Sequence, residues 1–115
     1  MSAQDTLHEQ LPLTEATFFI LLSLTSGQKH GYGIMKDVER LSDDRVALST
    51  GTLYGALGRL LDQGWIERVE EEQTGSRQRK AYVLSDLGQR IVSAEMERLR
   101  KVLNAAQGRL LRGET

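Results

Sequence analysis

No cysteine occurs in the 115 residues, so neither a disulfide framework nor a thiolate metal site can form. The two histidines, His8 and His30, are too few for an ordinary zinc cage, and neither a metal nor a cofactor is expected. Proline occurs once, at Pro12, where it closes a polar, aperiodic stretch that reads as a flexible N-terminal arm over residues 1–12. The longest apolar run, Phe18 to Leu22, is far too short to span a bilayer. The first twenty residues carry acids and no basic n-region of a secretory signal, which places the protein in the cytoplasm, away from any membrane.

Catalytic and nucleotide-binding signatures are also missing. There is no GxSxG elbow, no GxGxxG after a strand and no GxxxxGK[ST] loop, and a lone His30 in "KHGYG" has no partner nucleophile or second ligand in the sequence. An enzyme is not expected. A net charge of −1 with an isoelectric point near 6.1 gives no global electrostatic case for a nucleic-acid partner, so any such case rests on local charge.

What is present is an ordinary globular composition, 39% hydrophobic and 27% charged, which argues against disorder. Thr14 can cap a first helix, Glu15 to about Ser26, that has almost no polar face and so needs cover on most sides. "GYGIMKDVERL" spaces Ile34, Met35, Val38 and Leu41 for a one-faced second helix, roughly 31–42. After the turn "SDDR", Val46 to Leu48 can form a short edge strand before Ser49 or Thr50 caps a third helix, about 50–63. "WIERVEEE" and "RKAYVL" read as a β-hairpin with its tip at Gln73 to Gln78. Trp65, at its start, suits core packing or the wall of a small apolar pocket. Ser85 then caps a last helix reaching about Arg112.

The third helix carries the most information. At about 100° per residue, Leu53, Leu57, Leu60 and Leu61 share one side, Thr52, Gly55 and Arg59 centre on the other, and Gly51 and Tyr54 flank them. Small residues with a few donors suit a helix that must approach a phosphate backbone or enter a major groove. The same glycines, Gly51, Gly55 and Gly58, also suit tight packing inside a core. The hairpin tip adds Arg77, Arg79 and Lys80, able to neutralise phosphates or simply to stay solvated, whereas Glu67, Glu70, Glu71 and Glu72 on the outgoing strand oppose a DNA partner.

In the last helix Val92, Met96, Leu99, Leu103, Ala106 and Leu110 step by fours and threes, a heptad seam of nearly three repeats. With the core already supplied by the first helix, such a seam suits a second copy of the chain, a homodimer. The expected fold is mainly α (α+β): a winged helix-turn-helix with a two-stranded wing over 13–84 and a dimerisation helix with its tail over 85–115.

"LTEATFFILLSL", "HGYGIMKDVE", "STGTLYGALGRLLDQGWIE" and "RKAYVLSDLG" stand in the order and spacing of one family, and over about Leu13 to Leu110 the chain resembles the PadR family of transcriptional regulators, in its short form with a single C-terminal helix. The resemblance implies a homodimeric repressor that reads a pseudo-palindromic operator in double-stranded DNA. It also implies modulation by a small aromatic or hydrophobic effector. The DNA-facing set it implies is Ser49, Thr50, Thr52, Tyr54 and Arg59 on the third helix, Arg77, Arg79 and Lys80 on the wing, and Lys36 as a further phosphate contact. Family members often have proline where this chain has Gly55 and a basic residue where it has Gly58. The alternative is a winged-helix protein-interaction module without DNA binding.

Overall fold

Thr14 caps the first long helix: its hydroxyl accepts the Thr17 N–H at 3.2 Å and starts helix α1, Glu15–Ser23. The computed structural model describes residues 7–71, 79–111 and 113. The expected flexible arm, residues 1–12, is described from residue 7 on: residues 7–9 form a helical turn whose Leu7 packs on the core, and residues 1–6 lie outside the described residues. After α1 follow strand β1 (Lys29–His30), helix α2 (Gly31–Leu41), helix α3 (Thr50–Asp62), strands β2 (Ile66–Glu71) and β3 (Arg79–Leu84), and helix α4 (Asp86–Leu111).

Helix α1 stops three residues earlier than its apolar pattern suggests. Ser23 and Thr25 turn their hydroxyls back onto the carbonyls of Ile20 and Leu22, and the chain tightens into a 3₁₀ turn, Leu24–Ser26, that ends at Gly27 with φ of 130°. Between α2 and α3, Asp43 and Asp44 both adopt left-handed backbone, with φ of 55° and 61°, a conformation that aspartate tolerates better than bulkier residues.

The three strands form one antiparallel sheet in the order β1-β3-β2. The third strand is Lys29–His30, paired to Tyr82 and Ala81, and not the expected Val46 to Leu48. The reason is local: Ser42 Oγ accepts the Val46 N–H at 3.0 Å and also meets the Val46 carbonyl, so this segment spends its polar groups in the turn while Leu48 drops into the core.

The core joins all the helices to the sheet. Ile20 and Leu21 of α1, Ile34 and Val38 of α2, Leu53 and Leu57 of α3, Ile66 and Tyr82 of the hairpin, and Ile91 and Val92 of α4 are all buried in it. Trp65 belongs to the same cluster, as a core residue. Beyond Glu95 no residue of α4 is buried. The chain accordingly measures 63 × 38 × 22 Å, with a radius of gyration of 16.8 Å against about 13 Å for a compact domain of this length. The architecture is a winged helix-turn-helix carrying a long, projecting C-terminal helix.

Candidate nucleic-acid interface

The sequence of α3 separates its two faces cleanly. Ser49 caps it, accepting the Thr52 N–H at 3.1 Å, and the cap hydroxyl also meets Thr52 Oγ1 at 2.9 Å. Leu53, Ala56, Leu57 and Leu60 are buried, whereas Thr50, Gly51, Thr52, Tyr54, Gly55 and Arg59 are exposed. A Cβ at Gly51 or Gly58 would meet nothing within 4 Å, and one at Gly55 would meet only the end of the flexible Arg59 side chain, at 3.9 Å. The three glycines therefore do not serve tight packing within this chain; they keep the outer surface of the helix low. Arg59 lies back along that surface and forms no ion pair among the described residues.

Tyr54 is placed differently from Thr52 and Arg59. It follows Leu53 at the edge of the buried face, and its ring leans onto the start of α2, where a Cβ on Gly31 would come within 2.5 Å of the phenol oxygen. There it lines an open cleft of about 800 Å³ together with Gln28, Lys29, His30, Tyr32, Gly33 and Lys80. The first turn of α2 enters this cleft with no side-chain hydrogen bond capping it. An open helix N-terminus flanked by two ammonium groups is a favourable setting for an anion.

The contribution of Lys29, His30 and Tyr32 escaped sequence reasoning. A two-residue strand leaves no periodic signal, and only its pairing with Tyr82 and Ala81 brings the wing lysine and the α2 terminus to one cleft. Lys29 is not a free charge: it donates to Ser26 Oγ at 2.6 Å and sits 4.0 Å from the buried Asp37 carboxylate, which Arg40 also engages. Lys36 lies 5.5 Å from the centre of the Tyr32 ring and 3.9 Å from Glu39, beside the cleft rather than in it. Burial, and secondarily the neighbouring Tyr54, push the Tyr82 phenol above its ordinary value, so it remains a neutral wall of the sheet.

On the wing, Glu70 stands opposite Lys80 in the β2–β3 register and 3.9 Å from Arg68, and Arg79 begins β3 opposite Glu71. Arg77 and the expected tip, Gln73 to Gln78, lie outside the described residues.

The heptad seam divides at Glu95. Val92 is buried in the chain's own core, so the exposed stripe starts at Met96 and continues through Leu99, Leu103, Ala106 and Leu110, widened by Val102. Leu103 is 54% exposed and Leu110 78%, so covering them would recover roughly half to three quarters of the ~1.5–3 kcal/mol that burying a whole leucine side chain contributes. Among the described residues no cluster of His, Cys, Asp or Glu could hold a metal ion, and no helix is long and apolar enough to cross a membrane.

Residues 20–94 match the family profile described as "Transcriptional regulator PadR-like family". The sequence is 35% identical over 81 residues to an uncharacterized 37.1 kDa protein in transposon TN4556 of Streptomyces fradiae; the match covers 70% of this chain but only 22% of that longer protein. Among solved structures, a PadR family transcription regulator from Clostridium difficile superposes with a TM-score of 0.71 at 22% identity, over 84% of this chain and 99% of the other. A transcriptional regulator from Clostridium thermocellum gives 0.68 at 22% identity, over 94% and 97%. Bacillus subtilis PadR, solved in complex with operator DNA, gives 0.63 at 24% identity, over 70% of this chain and 46% of the other. At these identities the structural likeness concerns the fold.

Proposed function

The chain belongs to the PadR-like family of transcriptional regulators, and from that premise we propose that it acts as a homodimeric, sequence-specific DNA-binding repressor. The observation that carries the reading is the exposed face of α3, low at Gly51 and Gly55 and bearing Thr50, Thr52 and Arg59, beside a cleft where Lys80 and the α2 terminus converge. In this reading α3 enters the major groove. Thr52 and Arg59 reach base edges, and Ser49 and Thr50 meet the backbone at the helix start. Tyr54, Lys80 and Lys36, with Arg77 and Arg79, hold the flanking phosphates. The operator-bound state of Bacillus subtilis PadR supports DNA as the partner.

The exposed stripe on α4 and the half-covered Phe18, Phe19 and Leu22 of the mostly apolar α1 support two-fold pairing through these helices. Residues 13–84 would then read the DNA, and residues 85–115 would pair the subunits. A dimer of this kind reads half-sites about 34–36 Å apart, or a multiple of that, in a pseudo-palindromic site. A small aromatic or hydrophobic effector would act by shifting the relative placement of the two reading units.

Titration of DNA from upstream of the protein's own gene at several salt concentrations tests this reading. Affinity that falls steeply with salt, and a footprint with two-fold symmetry, are expected. Binding that is absent or insensitive to salt favours the second reading, a winged-helix protein-interaction module, to which the acidic Glu70 standing opposite Lys80 in the wing register lends support.

A further inference from the structure

Helix α4 is fixed to its own chain at three successive points. At its start, Ser85 Oγ donates to the Gly64 carbonyl at 2.6 Å and accepts the Gly88 N–H at 3.0 Å; next, Ile91 and Val92 enter the core. The third point is Glu95, 2% exposed, and its carboxylate is fully occupied. Oε2 accepts the Leu13 N–H at 2.9 Å, and Arg98 donates to both oxygens through Nε and Nη2. Leu13 directly precedes the Thr14 cap of α1, and α1 shares its core with α3. The Glu95–Leu13 bond therefore ties the last anchored turn of α4 to the body that carries α3.

Burying a carboxylate against a partly exposed guanidinium is an inefficient way to gain stability, because desolvation offsets much of the attraction; an apolar side chain would fill the same space. What a hydrogen-bonded carboxylate adds is direction. Direction matters here because α4 continues for sixteen residues beyond the anchor, from Met96 to Leu111, with none of them buried against the chain. At 1.5 Å per residue that is a lever of about 24 Å. A swing of about 10° at its root moves the far end by about 4 Å, more than the 3.4 Å rise between successive nucleotides of a strand.

We propose that Glu95 is a positioning residue that sets the angle between the DNA-reading body and the dimerisation helix, and thereby the separation of the two α3 helices in the dimer. The inference rests on the homodimeric reading above. It makes Glu95 a determinant of half-site spacing, although it touches neither DNA nor the partner's reading helix.

The absence of cysteine makes a direct test available. A spin label on Asp62→Cys, at the exposed end of α3, reports the distance between the two recognition helices by double electron–electron resonance without any DNA. With Glu95 intact one narrow distance is expected. Glu95→Ala should at least double the width of the distribution, and Glu95→Gln, whose amide still accepts the Leu13 N–H but lacks the charge for Arg98, should fall between. Sedimentation should still show dimers, and helix content should be unchanged. A residue with only a structural role would lower the melting temperature without broadening the distance at low temperature. Equal widths in all dimeric forms, or a broad distribution with Glu95 intact, overturn the proposal. Absence of dipolar coupling, with monomers in sedimentation, overturns the homodimeric reading instead. Should Glu95→Ala not fold, Glu95→Gln alone decides.

Discussion

Gly88 lies so close to the main-chain carbonyl of Trp65 that a Cβ at position 88 would overlap it, with Leu84 crowding the same space at 2.7 Å. Backbone cannot retreat as a flexible side chain can, so α4 reaches the hairpin only because residue 88 has no side chain. Gly88→Ala should cost about 1–3 kcal/mol, the usual penalty of overpacking, against the gain of a few tenths to 1 kcal/mol that alanine brings to an unobstructed helix. Urea unfolding at fixed protein concentration measures it. A stabilised Gly88→Ala variant would mean that α4 does not dock on Trp65 as described.

That contact also marks where sequence reading reaches its limit. The helices and hairpin were legible because Leu53, Leu57 and Leu60, or Ser49 and Thr14 as caps, encode local geometry in their spacing. The outward set on α3 was legible for the same reason. Lys29–His30 was not, since its strand character comes wholly from a partner about fifty residues away. Tyr54 was legible as a flank of the helix but not as a wall of the α2 cleft, and Val92 fitted the heptad seam although the core claims it. Long-range contacts decided each of these, and spacing carries no record of them.

The division of labour on the interface can be read from two substitutions. If Lys80 neutralises a phosphate, as proposed, Lys80→Ala should weaken binding to all sequences alike and lower the slope of log affinity against log salt by about one. Thr52→Ala should change which sequence is preferred and leave that slope alone, at a cost of about 1–3 kcal/mol on the preferred site. Fluorescence anisotropy with specific and random duplexes distinguishes them. Equal losses on both duplexes for Thr52→Ala would refute its base-reading role.

If the chain pairs through the α4 stripe, as proposed, the stripe also predicts how the pair would come apart. Leu103→Asp puts a charge where the seam should be dry, and Leu99→Asp does so one turn earlier, so each should convert the dimer to monomer. Neither residue is buried within its own chain, so the winged unit should remain folded by circular dichroism. Sedimentation that still reports a dimer with either variant would place the interface elsewhere.

Acid should loosen α4 at Glu95 in a defined window. Burial alone would raise the pKa of this carboxyl, but the hydrogen bonds from Arg98 and from the Leu13 N–H, with the Arg98 charge, outweigh it and hold the group below its ordinary value. A carboxyl that titrates lower in the folded state stabilises fully above its unfolded pKa of about 4.3, and that contribution is lost as pH falls through the folded value. Urea midpoints between pH 6 and pH 3 should therefore fall more steeply for the native chain than for Glu95→Gln, which has no proton to gain there. Parallel pH profiles would show that the Arg98 and Leu13 bonds do not hold Glu95 as an anion.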